Sequence, residues 1–193
     1  MTKQIRKFEV VSKYKDKGIN PPIRKTKYSA GYDVESAVDI IIPSSWQRVF
    51  SFINKGDYKS NEEVNSMIQE RLDNGQTIKD IMKEFNLSPT LIPTGLKVYM
   101  HDDEVLDLLS RSGTPRKWGL IVSNSMGEID ADYVDTPYNE GKMFIQVLNF
   151  LPFDVTIKKG EPIAQGIFRK YLVTDDDVAE GESVSGIGST DEQ

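Results

Sequence analysis

The chain of 193 residues contains no cysteine and only one histidine, His101. The absence of cysteine excludes disulfide bonds and thiolate metal sites, and a single histidine excludes a histidine-rich zinc site. No apolar run approaches the roughly 20 residues that a membrane-spanning helix needs, and the first residues lack the apolar core of a secretion signal. We therefore expect a cytoplasmic protein with no membrane partner.

Positive charge is also in deficit, because 24 Lys and Arg stand against 30 Asp and Glu and give a net charge of −6. Nucleic-acid-binding chains are usually basic, so no nucleic-acid partner is expected. A small anionic substrate needs only a local cluster of cations, and Arg111, Arg116 and Lys117 form one in the sequence.

Most of the chain has the pattern of short β-strands separated by Gly, Pro, Asn and Asp. The predicted strands cover residues 4–12, 33–42, 91–100, 105–109, 120–122, 143–150, 153–157 and 163–168. Many short strands with turn signals between them indicate a mostly β sandwich or barrel.

One internal segment, residues 44–90, has apolar residues at helical spacing in three stretches. Within it, Ser60 with Glu63 and Thr77 with Asp80 have the spacing of capping boxes. We therefore predict two or three short helices inserted into a β domain.

The predicted organisation is a β core, 1–43 and 91–174, interrupted by the helical insert at 44–90. The last segment, 175–193, is acidic, rich in small residues and poor in apolar ones. This composition is typical of a flexible arm.

Five short motifs follow one another outside the insert: AGYDVES (30–36), SRSG (110–113), SNSMGEIDADY (123–133), GEPIAQ (160–165) and GIGST (186–190). Their content and order resemble those of the trimeric dUTPase family, in particular its phage and Firmicute members. The resemblance implies a β-clip or jelly-roll-like sandwich with active sites shared between the subunits of a homotrimer. It also implies hydrolysis of dUTP to dUMP and pyrophosphate with Mg²⁺.

Two aspartates are candidates for the central chemistry. Splitting a nucleoside triphosphate needs a divalent cation to neutralise phosphate charge and a base to activate water. By the resemblance, Asp33 would hold Mg²⁺ through water and Asp130 would activate the attacking water. Each aspartate alone would be explained more simply as a turn or cap residue, but the motifs around them favour the functional interpretation.

Further polar residues are candidates to bind the phosphates, because arginine makes charge-assisted bidentate bonds and glycine lets backbone N–H groups approach an anion. The resemblance implies that Ser112 and Gly113 contact phosphate and that Arg111 also orients the catalytic aspartate. It places Gln165 on a phosphate near the attacking water.

The third motif carries the candidates for the nucleoside, on an expected β-hairpin around Met126 and Gly127. By the resemblance, Asn124 contacts the uracil edge and Tyr133 packs beneath the sugar, where it leaves no room for a 2′-hydroxyl. Gly127 and Ile129 belong to the same substrate-binding segment. The alternatives for the two polar residues are an Asx-turn asparagine and a core tyrosine.

The fifth motif departs from the family pattern, because the arginine of the family's tail is missing and an isoleucine replaces its aromatic residue. Gly186, Gly188, Ser189 and Thr190 remain and could wrap phosphate with backbone N–H groups. We expect weaker closure over the substrate rather than an absence of chemistry.

Two other functions are alternatives. A dCTP deaminase of related fold would need a glutamate in a Glu-x-x-Asn element, but this chain has Gln146 there, and a neutral amide cannot serve as a base. Deamination is therefore disfavoured. A regulatory protein that binds a partner, such as a repressor, through the insert is the second alternative, and it can coexist with catalysis.

Overall fold

The computed structural model of the chain describes residues 6–181, which contain eleven β-strands and four α-helices. The strands are β1 (Lys7–Val10), β2 (Tyr32–Glu35), β3 (Ile40–Ile42), β4 (Thr90–Pro93), β5 (Leu96–Tyr99), β6 (Glu104–Ser110), β7 (Leu120–Val122), β8 (Met126–Asp130), β9 (Phe144–Asn149), β10 (Val155–Ile157) and β11 (Pro162–Lys170). The helices are α1 (Ser45–Lys55), α2 (Asn61–Asp73), α3 (Ile78–Glu84) and α4 (Thr114–Trp118).

The strands form antiparallel sheets around one apolar core. A four-stranded sheet has the order β2-β11-β6-β8, and a three-stranded sheet has the order β4-β9-β7. Two-stranded sheets, β1-β5 and β3-β10, complete the β domain. Side chains from nine of these strands meet in the main core cluster, which includes Leu106, Ile145 and Ile163. The predicted mostly β, jelly-roll-like fold with a small helical segment is confirmed.

Two predicted strands are each divided in the structure. The segment 33–42 contributes β2 and β3 to different sheets, and the segment 91–100 contributes β4 and β5 to different sheets. Gly95 separates the second pair with a φ of +70°, a value that disfavours any residue with a Cβ. Apolar residues occur on both sides of each break, so the pattern alone did not show the breaks.

The short helix α4 was not predicted from the sequence. Pro115 occupies its first turn, where the missing N–H costs nothing, and Gly119 ends it in the left-handed conformation. Trp118 packs against the main core.

The three helices of the insert are present, and each begins at a polar cap. Thr77 and Asp80 form a complete capping box at α3. At α2, the Ser60 hydroxyl accepts from the Glu63 N–H, but the Glu63 carboxylate accepts from the N–H of Lys59 rather than from that of Ser60. This cap is therefore only half of the predicted box.

The first of these helices is attached to the β domain by side-chain hydrogen bonds. Trp46 Nε1 donates to the Phe150 carbonyl and Gln47 Nε2 donates to the Pro152 carbonyl, both at 3.1 Å. The ring of Phe52 meets that of Phe85 edge to face at 4.6 Å between centroids, which joins α1 to the end of α3. None of the helices between residues 6 and 181 is long and apolar enough to cross a membrane.

Candidate active site

Asp33 and Gln165 lie directly opposite each other on the neighbouring strands β2 and β11. Gln165 is also opposite Leu109 on β6, so this row marks one end of the four-stranded sheet. Gly31 leaves room for the glutamine, because a Cβ built at Gly31 would lie 2.3 Å from the Gln165 Oε1 atom. The first and fourth motifs therefore meet through direct strand pairing.

The second motif reaches the same place through Arg111. Its Nε donates to Asp33 Oδ1 at 2.8 Å and its Nη2 to Asp33 Oδ2 at 3.3 Å, which is a bidentate pair. Its Nη1 donates to the Pro162 carbonyl at 3.0 Å. The Asp33 side chain is only 13% exposed, so the arginine compensates a carboxylate that has lost most of its contact with water.

Asp33 is the carboxylate at this end of the sheet that could hold a cation. Within residues 6–181, no group of three or more His, Cys, Asp or Glu side chains is arranged to hold a metal ion. Both carboxylate oxygens of Asp33 already accept from Arg111. Mg²⁺ prefers oxygen ligands and usually retains several waters. A single carboxylate that already accepts hydrogen bonds from Arg111 is better suited to contact a hydrated Mg²⁺ ion through water than to form part of a site in which protein atoms supply all the ligands.

Next to Arg111 lies an open groove of about 390 Å³ that is lined by Ser112, Gly113, Arg116 and Lys117. Lys117 is 3.4 Å from the Glu161 carboxylate, whereas the exposed Arg116 has no ion pair among the residues that the structure describes. A Cβ at Gly113 would contact nothing within 4 Å. The groove is therefore open to an anion and has an uncompensated positive charge.

The third motif does not form the predicted β-hairpin. β7 pairs with β9 and β8 pairs with β6, so the turn at 123–125 carries the chain from one sheet to the other. Ser125 adopts a φ of +61° in this turn, and the Met126 N–H donates to the Asn124 carbonyl at 2.6 Å. The turn precedes the predicted position, since Met126 and Gly127 begin β8, and the sequence did not show that the strands on either side of it have different partners.

The other candidates of this motif follow the turn. Asn124 is exposed, and its amide nitrogen would lie 3.3 Å from a Cβ built at Gly127. Gly127 is opposite Leu108 on β6, and Ile129 packs against the main core. At the beginning of β8, the Asn124 amide therefore lies close to Gly127. Further along β8, the Ile129 side chain holds the strand against the core.

Asp130 ends β8 and is opposite Val105. Although Asp130 as a residue is exposed, neighbouring atoms shield its carboxyl group partly from water, and this shielding raises the pKa of that group. The Asp132 and Glu128 carboxylates raise the pKa of Asp130 further. A raised pKa makes the carboxylate a stronger base, as required of a group that takes a proton from water.

Tyr133 lies in a short 3-10 turn after β8 and is only 9% exposed. Its hydroxyl donates to the Lys142 carbonyl at 3.0 Å and accepts from the Asn139 amide at 2.7 Å. Burial raises the pKa of the Tyr133 hydroxyl. Within one chain the Tyr133 ring is therefore packed and held in place. The hydrogen bond from Asn139 to the Tyr133 hydroxyl was not predicted from the sequence.

One chain therefore holds two separate groups of candidate residues. Asp33, Arg111 and Gln165 lie at one end of the four-stranded sheet, whereas Asp130 lies four residues further along β6 and three strands away from β2. At ~3.3 Å per residue and ~4.8 Å per strand, their backbones are roughly 20 Å apart. Within one chain, Arg111 contacts Asp33 and not Asp130.

The candidates of the fifth motif lie outside the described residues. These are Gly186, Gly188, Ser189 and Thr190.

The chain was compared with protein-family models, with curated proteins and with solved structures. No family model matches. A deoxyuridine 5′-triphosphate nucleotidohydrolase of Lactococcus lactis subsp. lactis (strain IL1403) is 41% identical over 189 residues, which cover 97% of this chain and 98% of the relative. Because the alignment spans nearly the whole chain, it includes most of the helical insert.

Solved structures agree with this relationship. The crystal structure of a dUTPase from Streptococcus mutans is similar with a TM-score of 0.63 and 32% identity, and covers 88% of this chain and 99% of its own. A mutant dUTPase from phage phi11 of S. aureus, described with a structural Mg(II) ion, covers 92% of this chain and 97% of its own, and shares the fold with a TM-score of 0.55 at 17% identity. From its identity to the Lactococcus relative over almost the full length of both proteins, the chain belongs to the family of deoxyuridine 5′-triphosphate nucleotidohydrolases.

Proposed function

We propose that the protein hydrolyses dUTP to dUMP and pyrophosphate with Mg²⁺, as a homotrimer whose active sites are each shared between subunits. This reaction would limit uracil incorporation into DNA and supply dUMP. The observation that carries the proposal is the separation of the Asp33 and Asp130 ends of one sheet, within a chain of the dUTPase family.

The separation supports a site built from more than one chain. Two carboxylates whose backbones are roughly 20 Å apart cannot act on the same phosphorus atom. In a cyclic homotrimer each interface is heterologous, so one surface of a subunit contacts a different surface of the next subunit. The Asp130 end of one chain would then face the Asp33 end of another, and Arg111 could reach the catalytic aspartate of the adjacent subunit.

In the proposed reaction, Asp130 takes a proton from a water molecule that attacks the α-phosphorus. The bond from that phosphorus to the oxygen bridging it to the β-phosphate breaks, and pyrophosphate leaves. The raised pKa of Asp130 favours the proton transfer. Gln165, opposite Asp33, would position the water and the adjacent phosphate through its amide.

Arg111 retains capacity for phosphate in this arrangement. A guanidinium has five N–H donors, and Arg111 uses three of them on Asp33 and Pro162. The remaining two N–H groups could bind phosphate while the ion pair with Asp33 keeps the guanidinium group in place. Ser112, Gly113 and Arg116 would bind further phosphate oxygens along the adjacent groove.

Mg²⁺ would be held by the Asp33 carboxylate through water, and when bound it neutralises phosphate charge. The nucleoside would lie at the third motif, with Asn124 on the uracil edge, Gly127 and Ile129 alongside and Tyr133 beneath the sugar. Gly186, Gly188, Ser189 and Thr190 would close over the phosphates from the tail. We also propose the division into a β core (1–43 and 91–174), an insert (44–90) and an arm (175–193).

The test is pyrophosphate release from dUTP, dCTP, dTTP and UTP, each with and without Mg²⁺, together with the mass of the protein in solution. We expect magnesium-dependent release restricted to dUTP, from a trimer. Ammonia release from dCTP would instead support a deaminase. A folded trimer that leaves dUTP intact would contradict the proposed function.

A second role, binding of a protein partner through the insert, is favoured by one surface. Trp46, Val49 and Phe50 of α1 are 51%, 43% and 55% exposed, and exposed apolar patches are typical of interaction sites. The alternative is that the insert is only a helical cap on the β domain. Deletion of 45–88 distinguishes them: intact trimers and turnover without any lost partner would support the cap.

A further inference from the structure

The hydroxyl of Tyr133 is held from two sides inside the protein. It donates to the Lys142 carbonyl at 3.0 Å and accepts from Asn139 Nδ2 at 2.7 Å, and the ring is buried. A phenylalanine would fill the same space without these bonds. The two hydrogen bonds therefore contribute a fixed position for the ring rather than additional apolar packing.

Asn139 is itself fixed by the turn that contains it. Its Oδ1 accepts from the N–H groups of Gly141 and Lys142 at 3.0 and 3.2 Å and lies 3.3 Å from the Thr136 hydroxyl. The side-chain oxygen thus holds the turn, while the side-chain nitrogen holds Tyr133. One amide group connects the backbone of this loop to the tyrosine ring.

The loop is packed tightly against the backbone of Tyr133. Gly141 has a φ of +72°, and a Cβ there would lie 2.6 Å from the Tyr133 carbonyl oxygen. Asp135 and Glu140 also have positive φ values, of 58° and 60°. These contacts hold the loop against the Tyr133 backbone, and the Asn139 amide is thereby held in place beside the Tyr133 hydroxyl.

We propose that Asn139 is a positioning residue for sugar selection: its amide fixes the Tyr133 ring at the distance that admits deoxyribose and rejects ribose. The inference rests on the proposed function, in which the Tyr133 ring lies beneath the sugar of dUTP. A ring free to move by the size of a hydroxyl group would accept both sugars.

The experiment measures kcat/KM for dUTP and for UTP and compares their ratio between the unaltered protein and Asn139→Ala. We expect the ratio to fall at least about fivefold, the equivalent of ~1 kcal/mol for one hydrogen bond. A general loss of stability would lower the active fraction for both nucleotides equally and would leave the ratio unchanged.

Asn149→Ala is the matched control. Asn149 is a buried asparagine whose amide donates to the Ile42 and Phe153 carbonyls at 3.0 and 2.8 Å, and its Oδ1 accepts from the Leu151 N–H at 2.9 Å. These bonds fix a turn as those of Asn139 do but do not reach Tyr133, so we expect a lower unfolding temperature with the dUTP-to-UTP ratio of the unaltered protein.

Tyr133→Phe tests the same bond from the ring, and it is the deciding variant if Asn139→Ala does not fold. Because it also removes the bond to the Lys142 carbonyl, it should lower the ratio at least as much as Asn139→Ala. The double variant should be no worse than Tyr133→Phe alone, because both substitutions remove the bond between Asn139 and Tyr133. A ratio unchanged in a folded Asn139→Ala, or in Tyr133→Phe, with dUTP still hydrolysed, would overturn the inference alone. Absence of dUTP turnover by the unaltered protein would overturn both the inference and the proposed function.

Discussion

Asp33 and Asp130 lie at opposite ends of one four-stranded sheet, opposite Gln165 and Val105 respectively. If one active site needs both aspartates, they must come from different chains. We therefore predict that Asp33→Asn and Asp130→Asn are each inactive alone, and that trimers assembled from an equal mixture recover activity. Random assembly gives about one quarter of the sites both unaltered aspartates.

The measurement is dUTP hydrolysis after the two variants have been denatured together and refolded. Mixing them as preformed trimers, without subunit exchange, is the control and should give no activity. Mixed trimers that remain inactive would show that both aspartates serve the same chain's site.

The acid limb of the kcat/KM profile should depend on Glu128. A base must be ionised to act, and partial burial with the Asp132 and Glu128 charges raises the pKa of Asp130 above its ordinary value of 3.8. Glu128→Gln removes one of these negative charges and should move the acid limb to lower pH. The change is read from kcat/KM between pH 4 and 8.

Glu70→Gln, on the exposed surface of α2, is the control because it changes the net charge equally. An acid limb that moves by the same amount in both variants would contradict a local effect. Ionisation of Asp130 has opposite effects on activity and on stability. Because the folded-state pKa of Asp130 is raised, the protein loses stability as the pH rises through that pKa, whereas the base becomes active.

Gly31→Ala should reduce turnover with little change in stability. The new Cβ would lie 2.3 Å from Gln165 Oε1, the far end of a flexible side chain that can move away without disturbing the backbone. Loss of a hydrogen bond to a charged phosphate costs ~1.5–3 kcal/mol, which is at least about tenfold in kcat/KM. Steady-state kinetics and thermal unfolding measure the two effects.

Gly181→Ala is the matched control, because a Cβ there would contact nothing within 4 Å. Its kinetics should equal those of the unaltered protein. Normal turnover by Gly31→Ala would show that the Gln165 side chain is not needed where the structure places it.

Lys97 and Asp135 form an ion pair whose two partners differ in exposure, at 9% and 53% of their side chains. Removing the exposed partner leaves the buried Lys97 ammonium with the longer ion pair to Glu9, at 3.7 Å, whereas removing Lys97 leaves the Asp135 carboxylate in water. Asp135→Ala should therefore lower the free energy of unfolding by about 1–3 kcal/mol, and Lys97→Met by less than about 1 kcal/mol. Urea denaturation at pH 7 measures both.

The pH dependence of the same pair has a defined direction. The hydrogen bond from Lys97 is the main cause that lowers the pKa of Asp135. The pair therefore contributes stability above the unfolded-state pKa, and this contribution is lost as the pH falls through the lower folded-state value. Equal unfolding free energies for the two variants at pH 7 would contradict the asymmetry.

Much of the fold could be predicted because local chemistry specified it. The helical spacing of the insert and the cap at Thr77 depend on residues within one turn of each other. Most strands appeared near their predicted places because turn residues separate short apolar segments along the chain. The divided strands at 33–42 and 91–100 could not be predicted, since apolar residues occur on both sides of the point where the chain changes sheets.

The sequence by itself determined which residue types stand in the candidate site and in what order, because each motif is short and contiguous. The tertiary structure alone decided which of them meet. Strand pairing brings Asp33 to Gln165 and Arg111, leaves Asp130 at the far end, and replaces the expected hairpin by a crossing between sheets. It also places Asn139 on the Tyr133 hydroxyl, a contact made by a loop whose left-handed residues have no periodic signal. Contacts of this kind depend on pairing and loop closure between distant segments, which no local pattern of residues specifies.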